Sequence, residues 1–392
     1  MKFHSFSTPT FISYEEHEKV CKNPLDMLFS RLGLKKLGLD HLSEYCTRYA
    51  KNLPEVKPWQ PHSIPEDAFL LDFHAHTSLS DGEGTFKTAL QHLSKTKSIN
   101  GIAFTNHPWN LDLDGKTRIR NEKVVLQSYT ARDIVEKMKS KGQLPENFLT
   151  FEGSCEFAPR GTYDFPRKGV ELIGIGLPRT FIADCGGLTR IRKMYAEQLV
   201  EAIHNAGGLA ILPHPFYFCP SGLSRELWNS VDAVESFNQT THVFCEPVMK
   251  KFVKQVSFTI PLIDQIFALQ LLFAYFAWRN RIELARSPRP VVGCSDAHIL
   301  PFLGSACTMY PEPVEDLEDL MKKLNKGKPM LNPRWERTAN HDEIINKVWR
   351  HWGKDIVKTA IKINTNQRFL LPLLKIITKT FSKLDKNHAT RS

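Results

Sequence analysis

The histidines and acids of this chain recur at one kind of place. "LLDFHAHTSLSDG" (70–82) runs an apolar stretch straight into His74, His76 and Asp81. "GIAFTNH" ends in Asn106 and His107, and "NFLTFEGSCE" ends in Glu152 and Glu156. "LAILPHP" delivers His214, and "PVVGCSDAH" delivers Asp296 and His298. Any one of these reads equally well as an ordinary core or surface histidine, because a His-x-His pair is a weak signal in a chain with 15 histidines. The informative feature is repetition at the ends of successive apolar runs. Imidazole and carboxylate without thiolate form a donor set for zinc, manganese or iron. The donors are too many for one ion, so two or three divalent ions sharing a carboxylate are expected. A cluster of that kind lowers the pKa of a shared water and clamps phosphoryl oxygens during in-line displacement, which makes phosphate ester hydrolysis the expected chemistry.

Residues this far apart in sequence meet only if the fold gathers them. The runs "AFLLDF", "GIAFT", "NFLTFE", "VELIGIG", "LAILP", "DAVESF" and "PVVGC", with "ACTMY" as a possible eighth, alternate with amphipathic stretches. These include "TFKTALQHLSKT", "YTARDIVEKMKSK" and "GLTRIRKMYAEQLVEAIHNAGG". Buried strands alternating with helices predict an α/β fold built on a parallel sheet, and seven or eight such units favour closure into a barrel. In a barrel the C-terminal strand ends face a common mouth, which is where all the donors above would lie.

The motifs "DFHAHTSLSDG", "TNH", "EFAP", "PHP" and "GCSDAH" resemble, in order and approximate spacing, those of the polymerase and histidinol phosphatase (PHP) domain family, over roughly residues 68–310. The resemblance implies a distorted TIM-like (β/α)7 barrel with a trinuclear metal centre at its mouth and metal-dependent phosphoesterase activity. It implies His74, His76, Glu156 and Asp296 around one ion, with Glu156 bridging to a second ion that His214 also binds. Asp81, His107 and His298 would surround a third. The nucleophile would be a metal-bound hydroxide held by Glu156, His74 and Asp296. Glu156 is preferred to Glu152 because "EFA" followed by "VELIGIG" follows the family's order of glutamate and next strand.

Three departures from the family pattern stand out. Asn106 occupies the place of an aspartate and brings no negative charge to support its neighbours. Glu171 stands where the family has a histidine before its next strand; it reads either as a ligand that shifts the second ion towards manganese or iron, or as an exposed acid at a strand start. About forty residues intervene between "VDAVESFN" and "NRIELARSPRPVVGCSDAH", where a short connection is usual. To grip phosphate, a planar guanidinium is the natural group, and Arg160, four residues after Glu156, is the first candidate, followed by Arg192 and Arg225.

The remaining composition bounds the organisation. The 392 residues, 42% hydrophobic and 24% charged, suit one large domain with additions. Eight cysteines stand singly with no Cys-x-x-Cys pair, so a reducing, cytoplasmic setting is expected, and the opening "MKFHSFSTPTFISYEEHEK" lacks the apolar run of a secretory leader. Of the net charge of +10, the residues from 321 onward hold 17 Lys and Arg against 5 Asp and Glu, so the first 320 are close to neutral. We read residues 1–66 as a helical N-terminal extension and Pro-rich linker, 67–330 as the metallo-phosphoesterase barrel with a helical insertion at about 240–279, and 331–392 as a basic helical C-terminal extension. The most apolar segment, 256–278, carries Asp264, Gln265 and Gln270 and reads as a packed helix rather than a membrane span. The expected partner is a small phosphorylated substrate. A nuclease acting on nucleic-acid ends is the alternative, because Trp335, Trp349 and Trp352 lie among cations in the tail. A metal-binding scaffold that docks a membrane surface or protein through the apolar insertion is another.

Overall fold

The first strand, β1 (Phe69–Ala75), is buried along its whole length, and its side chains serve two cores in turn. Phe69, Leu71 and Phe73 point one way and Leu70 the other, as the two-residue period of a strand requires. In this computed structural model, which describes residues 64–65, 67–111, 118–163, 170–215, 224–240, 289–336 and 347, the other apolar runs are strands too, mostly buried except the half-buried Leu149–Thr150. They form β2 (Gly101–Phe104), β5 (Leu149–Thr150), β7 (Leu172–Ile175), β8 (Leu209–Leu212), β9 (Ala233–Asn238), β10 (Val291–Cys294) and β11 (Ala306–Tyr310). The sequence reading missed a short hairpin, β3 (Trp109–Leu111) and β4 (Arg118–Arg120), and the strands β6 (Cys155–Phe157) and β12 (Lys328–Leu331). Two of these four are the three-residue hairpin strands and a third is the three-residue β6, while β12 carries Pro329, so none shows a sustained period of its own.

The fold is α/β, as expected, but the strands do not form one closed parallel ladder. They pair as two five-stranded sheets, β12-β11-β1-β2-β5 and β10-β9-β8-β7-β6. Two features correct the barrel expectation. The antiparallel strand β11 occupies the edge of β1 as far as Leu71, so β10 meets β1 only beyond that point, through a single parallel bridge between Ala75 and Ala297. At the other seam the chain turns at Glu152-Gly153-Ser154 between β5 and β6, and Glu156 N–H reaches Asn106 O at 3.4 Å. Strand β7 also runs antiparallel to both β6 and β8, which reverses which of its ends faces the neighbouring strand termini.

Both sheets contribute to a shared apolar interior that includes Phe73, Ile173, Leu209, Ile211, Val292 and Tyr310. Helices cover the outer faces: α1 (Phe86–Thr96) and α2 (Val124–Lys139) place Leu90, Leu93 and Val135 against the first sheet's outer core. On the second sheet α3 (Ala196–Asn205) buries Leu199, Val200 and Ile203. The predicted continuous helix over 187–208 is broken. Only Leu188–Ile191 and α3 are helical, because Ala196 N–H donates to Gly161 O at 2.7 Å and Met194 O accepts from Arg160 N–H at 2.8 Å. Tertiary hydrogen bonds to the strand-following loop replace the helical ones there. Residues 1–63 of the N-terminal extension, the 240–279 insertion beyond Thr240, and all of the basic tail after Glu336 except Lys347 lie outside the described residues. No helix among the described residues is long and apolar enough to cross a membrane, and Cys155, Cys185, Cys294 and Cys307 are free thiols.

Asp72 fastens the seam between β1 and β10. It is fully buried and accepts hydrogen bonds from His74 N–H (3.2 Å), Ser295 N–H (3.0 Å), Ser295 Oγ (2.5 Å) and Gly304 N–H (3.1 Å). Burial lifts its carboxyl to about 6 even though all these donors pull it down, so it is still mainly the acceptor-only carboxylate at neutral pH. Asp72→Ala would leave these donors buried without a partner. We expect a loss of about 2–4 kcal/mol in the denaturant-unfolding free energy.

Candidate metal centre

Backbone hydrogen bonds lock the loop after β1 against the loop after β10. His76 N–H donates to Ala297 O at 2.9 Å and Glu83 N–H to His298 O at 2.6 Å. Asn106 Oδ1 accepts from Thr77 N–H (2.7 Å), Thr77 Oγ (3.0 Å) and Ser80 Oγ (3.1 Å), which fixes the loop that carries Asp81. A neutral carbonyl oxygen thus organises this loop. Two residues at strand ends, His214 (φ 22°) and Asp296 (φ 49°), sit in the left-handed region, an arrangement that costs backbone energy and is typical of functional sites.

These constraints bring the nine favoured donors, all the predicted ones except Glu152, into one cluster. His74 Nε2 lies 3.0 Å from His76 Nε2, 3.1 Å from Glu156 Oε2 and 3.2 Å from Asp296 Oδ1. His76 Nε2 is 3.4 Å from the same Glu156 oxygen and 3.3 Å from the same Asp296 oxygen. Four ligand atoms held tetrahedrally at about 2.0 Å from a zinc-sized ion stand roughly 3.3 Å apart, and these five spacings, from the two imidazoles to each other and to each carboxylate, fall near that length. Next to it Glu156 Oε1, buried and without a hydrogen bond among the described residues, faces His214 Nε2 at 3.5 Å, and that nitrogen is 3.7 Å from Glu171 Oε2. A third group gathers His76, Asp81, His107 and His298, with His298 Nε2 3.3 Å and His107 Nε2 3.9 Å from Asp81 Oδ2. The His76 ring is stacked between those of His107 (4.6 Å) and His298 (4.3 Å).

Glu171 takes its place because β7 is reversed: the start of that strand, not its end, faces the cluster. Burial and the nearby Glu156 push the Glu171 carboxyl up to about 7. Burial, with His298 and His107 beside it, lowers His76 to about 4 and keeps it neutral. Burial alone would lower His214, yet the Glu156, Glu171 and Asp296 carboxylates lift it to about 9; in the same way Asp81 and Asp296 lift His298 to about 9. Against the same desolvation, His74 and His107 hold Glu156 well below the usual carboxylate range. Such opposed shifts mark a site in which donors have been packed closer than solvation alone permits.

Other candidates fall elsewhere. Glu152 pairs with Arg132 Nη1 at 2.7 Å, away from the cluster. Exposed Arg160 lies over the Tyr195 ring at 5.6 Å and exposed Arg192 over the Trp109 ring at 4.8 Å, so neither is part of the cage. Arg225 opens the helix Arg225–Ser230, and its side chain lies outside the described residues. Sequence reasoning missed Glu235, which is wholly buried in β9 and contacts His74 Nδ1 at 3.1 Å. A lone carboxylate two residues from Ala233, on the inward face of an apolar strand, was the available signal.

Residues 280–329, which include Asp296 and His298, match the family model described as PHP-associated. No curated protein matches this chain. Among solved structures, it is 11% identical to a two-domain Bacteroides vulgatus protein containing a predicted PHP-like metal-dependent phosphoesterase, over 70% of this chain and 68% of that one (TM-score 0.39). It is also 15% identical to PsfC from Pseudomonas syringae, over 72% and 98% (TM-score 0.37), and 13% identical to a Chromobacterium violaceum amidohydrolase with bound sulfate, over 68% and 99% (TM-score 0.34).

The loop that carries Asp81 is folded tightly enough to exclude any side chain at Gly82. A Cβ there would come within 2.4 Å of the His76 carbonyl carbon and 2.6 Å of Thr77 N, both backbone atoms. Gly82→Ala should therefore displace the loop and lower stability by about 1–3 kcal/mol, read as a drop of several degrees in the thermal melt.

Proposed function

We propose that this chain is a metal-dependent phosphoesterase of the PHP type. The observation that carries this reading is the quartet of His74 Nε2, His76 Nε2, Glu156 Oε2 and Asp296 Oδ1, in which both imidazole nitrogens stand at ligand-to-ligand spacing from each other and from both carboxylate oxygens. The adjoining groups around His214 with Glu171 and around Asp81 with His107 and His298 support two further ions, of which manganese, zinc and iron suit the donors. When bound, such ions make a shared water nucleophilic at neutral pH and neutralise charge on a phosphoryl group.

The chain's own residues divide that work. Glu156 offers one oxygen to the quartet and the other towards His214, the placement a bridging carboxylate requires. Asp81, His107 and His298 are partly exposed and form the rim that an incoming ester would meet. His298 Nδ1 donates to Asp296 O at 2.9 Å, which orients its Nε2 towards Asp81. Because His74, His76 and Glu156 are almost completely buried, the site suits the terminal phosphate of a small monoester better than a polymer backbone. Arg160 and Arg192, held against aromatic rings beside the loops after β6 and β2, are the proposed cations for the rest of the phosphate group.

His76→Ala tests the reading directly. It should reduce bound metal and lower turnover of an aryl phosphate with manganese, zinc or iron by more than about a hundredfold while circular dichroism stays unchanged; turnover that persists in excess chelator would refute it.

A pH prediction follows from the histidines. In the metal-free chain His214 and His298 keep protons up to about 9, whereas an ion needs their bare nitrogens. Their ion pairs stabilise the metal-free fold fully below the unfolded value of 6.5, and that contribution is lost as pH rises through 9. Metal uptake at pH 7 should therefore release protons, and affinity should rise between pH 7 and 9. Calorimetric titration in two buffers of different ionisation enthalpy measures both.

A further inference from the structure

We infer that Glu235 is the positioning residue of this centre: one buried carboxylate that sets the tautomer of His74, holds the backbone of His214 and, through Asn238, turns Asp296 towards the cage. The inference rests on the metal-dependent reading above and concerns a residue outside the ligand set. Glu235 is wholly buried on the inward face of β9, where an unpartnered charge would be costly, so its contacts must offset that cost. They do so with a specific geometry. Oε1 faces His74 Nδ1 at 3.1 Å, while Oε2 accepts from His214 N–H at 2.7 Å and from Asn238 Nδ2 at 2.9 Å. The same Asn238 nitrogen donates to Asp296 Oδ2 at 3.1 Å, and the other oxygen of Asp296 is the one in the quartet.

Each contact has a consequence for an ion. A proton held on His74 Nδ1 by Glu235 leaves Nε2 bare and aimed at the quartet, which is the state a metal requires. The N–H of His214 is anchored where the backbone is strained, at φ 22° between Pro213 and Pro215. A carboxylate accepts at both oxygens and so serves all three donors at once. Glutamine has the same shape but must turn an NH2 group towards a donor in either orientation. The simplest relief is for His74 to move its proton to Nε2, which would block the quartet.

The test uses the full-length chain and cobalt(II) as probe. Dissociation constants are measured by chelator competition, the coordination spectrum by visible absorption, and the metal-free melt by circular dichroism, for the wild type, Glu235→Gln and Asn238→Ala. The inference expects Glu235→Gln to bind cobalt about 10–100-fold more weakly with an altered visible spectrum, in a variant whose metal-free melt matches wild type. Asn238→Ala should weaken binding less. Wild-type affinity and spectrum in Glu235→Gln would overturn the inference and leave the metal reading standing, whereas a wild type that takes up no cobalt would sink the metal reading itself. If Glu235→Gln lowers the metal-free melt, Asn238→Ala decides: weaker binding at an unchanged melt supports the inference, and unchanged binding overturns it.

Discussion

Burying imidazoles and carboxylates side by side is permissible only if each group is neutralised or hydrogen-bonded by another, and the architecture of this chain is arranged around that demand. The floor of the cluster, His74, Glu156 and Glu235, has almost no contact with solvent, yet every one of these groups faces opposite charge or a donor. Two sheets supply them: His74 comes from β1 and His76 from just beyond it, Glu156 from β6, Glu235 from β9 and Asp296 from beyond β10. A displacement of one sheet against the other by an ångström or two would break the quartet. The seam between β1 and β10 therefore decides the site, and Asp72 is its fastening, since it binds the backbone of both sides together.

The same seam accounts for the gradient from floor to rim. Strand β11 covers the first half of β1, and where it stops the chain is free to bridge Ala75 to Ala297 and to pass His76 N–H to Ala297 O. From there the two loops run together outward, so Asp81 and His298 meet at 3.3 Å in a partly exposed layer above the buried quartet. Stacking of His76 between the rings of His107 and His298 joins the layers, and burial together with those two neighbouring imidazoles keeps His76 neutral.

One element departs from the simple picture of donors that follow strands. Because β7 is antiparallel to both neighbours, its first residues reach the cluster, and Glu171 enters from that side beside Glu156 and His214. Three carboxylates of the centre, Glu156, Glu171 and Asp296, then surround His214, which explains why that imidazole holds its proton so firmly without an ion. The neutral Asn106 does different work. Its side-chain oxygen gathers Thr77 and Ser80, so it secures the loop geometry while adding no charge to a region already rich in acids.

Much of this was written in local sequence. Apolar runs of four to six residues gave all the principal strands, because burial on both faces leaves a continuous apolar signature, and the donors at their ends stand in "HAH", "TNH", "PHP" and "SDAH" for anyone to read. The sequence alone thus determined the chemistry of the donors and the alternation that places them near strand ends. Strand direction at β7, the division into two sheets, the helix break at 192–195 and the partnership of Glu235 with His74, His214 and Asn238 were decided only by tertiary structure. The reason is physical: pairing partners and buried hydrogen bonds depend on which distant backbone occupies an edge, and no local pattern of apolar and polar residues records that choice.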